Sequence, residues 1–221
     1  MLELIPRARR HGPLKILCLG AHCDDIEIGC GATLLTIQRR KPPIEVVWVI
    51  LSGSEERCAE SRLARSLFLK PRARGELIFG GFSDGRFPAE YLQIKTFVED
   101  LKRFEPDIVL CHERDDRHQD HRLVNEMVWN TFRNHLVLEY EIPKWDGGLG
   151  QPNVYVPISN SQAKVKVNAL LRAFRSQTNR GWFTADTFMA LLRLRGLECR
   201  SPSGYAEAFH GRKLQMAITD V

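Results

Sequence analysis

An apolar run that ends abruptly in acids is the feature that most constrains this chain. Leu14-Lys15-Ile16-Leu17-Cys18-Leu19 reads as a buried strand. It runs into Gly20-Ala21-His22-Cys23-Asp24-Asp25-Ile26-Glu27-Ile28-Gly29-Cys30-Gly31 and then into a helical stretch, Ala32 to Arg39. A strand that feeds a helix through a polar turn is the opening unit of an α/β sheet, and open sheets of that kind bind ligands beyond the carboxyl ends of their strands. A nucleotide-binding version of the turn would carry glycines, so that a pyrophosphate could approach the backbone. Here an imidazole and two adjacent carboxylates stand in that place. They repel phosphate and attract a cation.

The same alternation continues. Residues 45–51 form a second, nearly continuous β-branched run of the sort buried in parallel sheets, and Ser54 is placed to cap a helix over 55–69. A short strand at 77–79 ends in Gly80-Gly81 with a loop over 82–86, and the periodicity predicts a helix over 91–104, closed by Pro106. Asp107 to Cys111 is a fourth strand. Directly after it lies a second polar cluster, His112-Glu113-Arg114-Asp115-Asp116-Arg117-His118-Gln119-Asp120-His121, entering a helix that runs to about Asn134.

This pattern predicts an α/β fold: a Rossmann-like, doubly wound, mainly parallel sheet flanked by helices, with right-handed crossovers and strand order 3-2-1-4. In that order both polar clusters follow neighbouring strands. The chain is expected to be a single domain over 1–221, with the core in 1–140 and a loop-rich, substrate-side C-terminal cap in 141–221. The cap carries a strand at 154–156, helices over 162–175 and 184–195 with Gly196 as a C-terminal cap, and a last strand over 205–209.

Composition removes several function classes. Hydrophobic residues at 43% and charged residues at 27% of the 221 are ordinary for a globular protein, and the net charge of +5 comes without a dense Lys/Arg tract. Nucleic acid is therefore not an expected partner. Arg7, Arg9 and Arg10, and later Arg193, Arg195 and Arg200, read as solvated faces or as contacts for an anionic substrate. The six cysteines form no CxxC pair, which predicts reduced thiols and a cytoplasmic location. The N-terminus lacks the apolar run of a signal peptide, and the longest apolar run, Val46 to Leu51, is too short to span a bilayer.

The chemistry lies in the two clusters. A catalytic zinc takes three protein ligands from His and carboxylate and keeps one position open. His22 and Asp25, three residues apart on one turn, and His121 from the second cluster are the expected ligands. Asp24, beside a ligand but aimed elsewhere, is the candidate general base. His118, one helical turn before His121, is placed to hydrogen-bond an oxyanion or to protonate a leaving amine. Asp120 or Asp116 is expected to hold His118 in one tautomer. Iron(II) or cobalt suits the same nitrogen and oxygen ligands.

Residues 21–34, AHCDDIEIGCGATL, resemble the first signature of the PIG-L/LmbE-like deacetylases, AHPDDxExGCGGTL, and residues 116–121, DRHQDH, resemble their second, DxHxDH. The similarity extends to Arg57 and Glu60, an RxxE pair, to Ser176-Gln177, and to Tyr205-Ala206-Glu207-Ala208-Phe209, which is similar to the family's YAEAF. The resemblance implies zinc bound by His22, Asp25 and His121, Asp24 as catalytic base, and His118 assisting the transition state. It also implies Tyr205 as an oxyanion helper and Arg57 as a substrate contact. Cys23 replaces the family's proline, Ala32 replaces a glycine, and Phe174 stands where the family's HxSQ has histidine.

The reading is a zinc-dependent N-deacetylase that frees the amine of an N-acetylglucosamine-type sugar, small or lipid-linked, with a homo-oligomer expected and no membrane span. Two rival readings fit parts of the same sequence. One is a metal- or glycan-binding protein without turnover. The other is a metallo-β-lactamase-like hydrolase, whose HxHxDH residues 116–121 partly imitate.

Overall fold

The computed structural model describes residues 12–39, 43–70 and 73–215. Its strands are β1 (Leu14–Gly20), β2 (Ile44–Ser52), β3 (Leu77–Phe82), β4 (Ile108–His112), β5 (Leu136–Tyr140), β6 (Val154–Ile158) and β7 (Tyr205–Gly211). Between and after them run the helices α1 (Asp25–Ile37), α2 (Glu55–Phe68), α3 (Tyr91–Asp100), α4 (Gln119–Thr131), α5 (Asn160–Ala173) and α6 (Ala185–Glu198). They build one seven-stranded sheet in the order β3-β2-β1-β4-β5-β7-β6. The first five strands are parallel, and β7 runs antiparallel to both of its neighbours. The predicted order 3-2-1-4 is thus present within a longer sheet. A β-sandwich is not, which removes the metallo-β-lactamase-like alternative.

Successive side chains of a strand point to opposite faces, so a strand covered on both sides must be apolar throughout. Ile16 and Cys18 of β1, Val46, Trp48 and Ile50 of β2, and Ile108 and Leu110 of β4 pack with Ile26, Leu34, Phe68 and Leu170 of α1, α2 and α5. The alternate residues Leu17, Leu19, Val47, Val49 and Val109 pack against Ile94 and Val98 of α3 and against Val124 and Met127 of α4. That double burial explains the unbroken apolar runs in the sequence.

The strand order reverses between β1 and β4, which pair directly in the register Ile16↔Ile108, Leu17↔Val109 and Cys18↔Leu110. Neighbouring crossovers leave on opposite faces at that point, and the turns after the two strands meet above the cleft they leave. Those turns hold His22 to Asp25 and Glu113 to His118.

Helix α1 is pinned along its length. A Cβ on Gly29 would stand 2.2 Å from Tyr140 Cδ2, and one on Gly31 would stand 2.4 Å from Phe68 Cε1, so both glycines admit an aromatic ring against the helix backbone. Lys166 of α5, itself buried, donates its Nζ to the Ile28 carbonyl and to Glu207 Oε1. Glu207 in turn accepts from the backbone N–H of Ala32 at 2.9 Å and of Thr33 at 2.6 Å. A fully buried ion pair is tolerated only when hydrogen bonds satisfy its remaining atoms, and here the helix backbone supplies them.

Four expectations change. Helix α1 starts at Asp25, well before Ala32, because Asp24 takes the N-cap position and Asp25 and Glu27 occupy the favourable first turn. Gly196 lies inside α6 and is no cap: a Cβ there would meet the Gly204 carbonyl oxygen at 2.1 Å, so glycine is needed for close packing of the turn. The C-terminal third is less a cap than an extension, since β6 and β7 join the sheet and α5 and α6 cover it. Arg195 is buried, with its Nε 2.9 Å from Glu141 Oε2, so it forms neither a solvated face nor an anion contact. Arg7, Arg9 and Arg10 lie outside the described residues.

Gly29→Ala should destabilise the fold. Alanine favours a helix over glycine by about 1 kcal/mol, but overpacking the Tyr140 ring costs about 1–3 kcal/mol. A lowered urea midpoint is expected, and a raised one would contradict the packing described here.

Candidate metal centre

The first turn is tied across three strands. The Ala21 N–H donates to His112 Nε2 at 3.0 Å, and the Ala21 carbonyl accepts from the backbone N–H and the hydroxyl of Ser52 at 2.9 and 2.8 Å. Asp24 then adopts φ 103°, in the left-handed region that costs a non-glycine residue about 1–2 kcal/mol. The reversal this allows brings Asp25 back on His22, whose backbone N–H donates to Asp25 Oδ2 at 2.7 Å.

The second turn folds on Asp116. Its Oδ1 accepts from the His118 backbone N–H at 2.8 Å, while its Oδ2 lies 2.9 Å from His121 Nδ1 and 2.6 Å from Lys144 Nζ. His118 caps α4, its ring Nδ1 accepting from the Asp120 backbone N–H at 3.2 Å. That bond leaves the hydrogen of a neutral His118 on Nε2. His121 follows on the first turn of α4, its ring stacked on that of His112 with centroids 3.8 Å apart.

The two turns converge. His22 Nδ1 stands 3.1 Å from His121 Nε2. Asp25 closes the triangle, with Oδ2 at 3.5 Å from His22 Nδ1 and Oδ1 at 3.6 Å from His121 Nε2. Behind them, the rear nitrogen of each ring meets carboxylate. His22 Nε2 is 3.3 Å from Asp120 Oδ2 and 3.0 Å from Asp84 Oδ1, and His121 Nδ1 is on Asp116. With a hydrogen on each rear nitrogen, two ring lone pairs and a carboxylate face one point. Only a positive charge is at ease there.

The electrostatics agree. Burial drives the His121 pKa down to about 3, so that ring is neutral. Burial also opposes charge on His22, but Asp120, Asp25 and Asp84 outweigh it and raise its pKa well above the usual value. In the metal-free protein a proton on His22 thus occupies the role of a cation. Asp25 is held well below the ordinary carboxylate range, against the effect of burial, by the imidazoles packed around it. The donor set of two imidazoles and a carboxylate, each imidazole backed by carboxylate, suits zinc. Three groups of possible ligand atoms in this cluster lie within mutual reach of one ion: His22, His118 and His121; Asp25, His112 and His121; and His22, Asp84, His118 and Asp120; each shares one or two members with the triangle.

Asp24 is buried beside this triangle, its Oδ2 2.9 Å from Arg57 Nη2. Burial raises its pKa to about 7 although Arg57 pulls the other way. Arg57, expected as a substrate contact, is committed to Asp24 and to the Cys23 carbonyl. Glu60, its partner in the RxxE pair, instead accepts from the backbone N–H and hydroxyl of Ser176 at 2.8 and 2.7 Å, joining α2 to the turn after α5.

Two placements differ from expectation. Neither Asp116 nor Asp120 holds the His118 ring through its carboxylate. That of Asp120 accepts from the backbone N–H groups of Gly85 and Phe87 at 2.6 and 3.2 Å, fixing the loop after β3, and faces His22. Tyr205 is not brought to the cluster; its ring packs with Ala32, Ile158, Ala163 and Leu192. His112 and Asp84 also reach the cluster. His112 was legible as the first residue of the second cluster. Asp84, on the loop after β3, carries no sequence signal beyond a turn.

Comparison with known proteins gives three kinds of likeness. The family model PIG-L, described as GlcNAc-PI de-N-acetylase, matches residues 17–132. YaiS of Escherichia coli (strain K12), described as an uncharacterized deacetylase, is 31% identical over 170 residues, which is 70% of this chain and 88% of YaiS. Among solved structures, the N,N'-diacetylchitobiose deacetylase of Pyrococcus horikoshii superposes with a TM-score of 0.70 at 20% identity, covering 89% of this chain and 83% of the other. GalB of Pseudomonas putida KT2440, a 4-carboxy-2-hydroxymuconate hydratase, reaches 0.72 at 16% identity over 94% and 99%. These two likenesses speak to the fold alone.

Asp116→Asn should leave the protein folded and weaken zinc binding about 10- to 100-fold. Competition with a zinc-sensitive chelating dye would measure this. Unchanged affinity would separate Asp116 from the metal.

Proposed function

This chain belongs to the PIG-L family, and from that premise we propose that it is a zinc-dependent N-deacetylase acting on an N-acetylglucosamine-type sugar. The observation that carries the reading is the 3.1 Å approach of two ring nitrogens over the Asp25 carboxylate, with a further carboxylate, Asp24, left beside them. The matched family description and the chitobiose deacetylase among the structural relatives support an acetylated amino sugar as substrate. Its carrier is a small glycan or a lipid- or nucleotide-linked precursor.

His22, Asp25 and His121 would hold the metal. A bound divalent ion supplies Lewis acidity toward the amide carbonyl and acidifies water, worth several kcal/mol of charge stabilisation. The rest falls to side chains. Asp24 takes the proton of the attacking water, with Arg57 fixing the orientation of its carboxylate. His118, neutral because burial and the neighbouring His22 lower its pKa, offers its Nε2 hydrogen to the oxyanion as the carbonyl becomes tetrahedral. Asp24, now protonated, is the proton source for the departing nitrogen, and acetate and a free amine result.

Acetate release from N-acetylglucosamine and N,N'-diacetylchitobiose, with and without chelator, tests this directly. Release that stops on chelation and returns with zinc is expected; zinc binding without release under any condition would favour the binding-protein reading. Asp24→Asn should keep its zinc and lose about 10²- to 10⁴-fold in turnover. Full activity in that variant would remove Asp24 as the base.

The pH profile carries a sign. The base must be unprotonated, so turnover falls as pH drops through the Asp24 pKa, which burial raises to about 7 in the metal-free protein. Bound metal moves that acidic limb lower. Arg57→Met removes a favourable charge from the carboxylate and should move the limb to higher pH. A shift downward would contradict the pairing.

A further inference from the structure

We propose that Cys23 and Cys58 form a reversible dithiol–disulfide pair that places the candidate active site under redox control. The inference goes beyond the deacetylase reading, because the bond itself needs neither substrate nor metal. All six cysteines are free thiols. Cys23 is fully buried in the turn between His22 and Asp24; Cys58 is half-exposed on the first turn of α2, directly after Arg57.

The two sulfurs share one space. It is open because residue 53 is glycine. A Cβ on Gly53 would stand 2.5 Å from Cys23 Sγ and 3.3 Å from Cys58 Sγ, so the sulfurs are no further apart than those two distances combined. The backbone contacts of both thiols are long. Cys23 Sγ reaches the Ser52 carbonyl at 3.7 Å and Cys58 Sγ the Gly53 carbonyl at 3.6 Å, both long contacts of a weak donor.

The sequence neighbours of the pair give the bond its consequence. Cys23 precedes Asp24 and Cys58 follows Arg57, and Asp24 and Arg57 are themselves joined at 2.9 Å. A disulfide would tie the turn that carries Asp24 to the helix that carries Arg57, within one residue of their ion pair on both sides. Disulfide geometry is narrow, with an S–S separation of about 2.05 Å and a fixed dihedral preference. Closing the bond therefore draws on a turn whose Asp24 already sits at φ 103°. Displacing that turn by about 1 Å is enough to cost about 10²-fold in rate.

The chemistry balances with a low-molecular-weight disulfide such as oxidised glutathione as oxidant. The accessible Cys58 sulfur, as thiolate, attacks one sulfur of the oxidant, whose S–S bond breaks and releases one glutathione thiol. The Cys23 sulfur then attacks the Cys58 sulfur of the mixed disulfide and gives its proton to the departing glutathione thiolate, forming the internal bond and releasing the second glutathione. The two cysteine protons end on the two glutathione thiols. Two electrons pass from the protein to the oxidant, and dithiothreitol reverses the change.

The test titrates the full-length protein with oxidised glutathione and follows intact mass, peptide mapping and acetate release. Expected are a loss of two hydrogens, a cross-linked peptide joining residues 23 and 58, and at least a tenfold fall in turnover that dithiothreitol restores. Cys58→Ser should keep basal turnover and lose the oxidative response, and Gly53→Ala, whose methyl group fills the space between the sulfurs, should slow cross-linking. A stable glutathione adduct on Cys58 without a 23–58 cross-link would overturn the pair, and a cross-link with unchanged turnover would overturn the control. A protein without deacetylase activity when fully reduced would instead overturn the proposed function, with the peptide map still deciding whether the bond forms.

Discussion

The structure depends on two imidazole nitrogens facing each other at 3.1 Å, with a carboxylate beneath them. At that distance one nitrogen must carry a hydrogen or a cation must stand between them. Desolvation makes the alternatives costly: protonating both rings places two cations together, and leaving both bare wastes three acceptors. The surrounding carboxylates raise the His22 pKa, while burial lowers that of His121 to about 3, so the two rings do not take up protons together. A divalent ion resolves the same conflict with no proton at all.

Around that point the fold works as support. The switch between β1 and β4 sets the two turns side by side, and Asp116 and Asp120 fix the rear of each ring. Behind the first turn, α1 is held by Tyr140 against Gly29 and by Lys166 and Glu207 inserted among its backbone groups. The Glu207 of the C-terminal motif therefore acts on the site from a distance, by fixing the helix that begins with Asp25. The neighbouring Tyr205 of the same motif packs on the far part of that helix. GalB shares the architecture and is a hydratase, so the fold permits chemistry other than amide hydrolysis. The functional reading therefore rests on the family match and on the residues of the site.

Much of this was legible in the sequence because it is local. Apolar runs covered on both faces announced the parallel sheet, and histidines with acids directly after two strands announced where the site would be. What stayed hidden depends on long-range partners. Nothing near Arg57 in sequence says that its guanidinium will meet Asp24, or that Glu60 will turn to Ser176. Asp84 reaches His22 only because Asp120 binds the backbone of its loop. Gly196 has the look of a helix end, and only the approach of the Gly204 turn shows why it lies within one. No helix among the described residues is long and apolar enough to cross a membrane, which agrees with the hydropathy of the sequence.

X-ray absorption at the zinc edge of the loaded protein would identify which side chains hold the ion. A shell of nitrogen and oxygen scatterers at about 2.0–2.1 Å with the outer signature of two imidazoles is expected. The His121→Ala protein should lose one of them or fail to load. A sulfur scatterer at about 2.3 Å would place a cysteine, with Cys23 the nearest in sequence, among the ligands. That result would contradict the site described here.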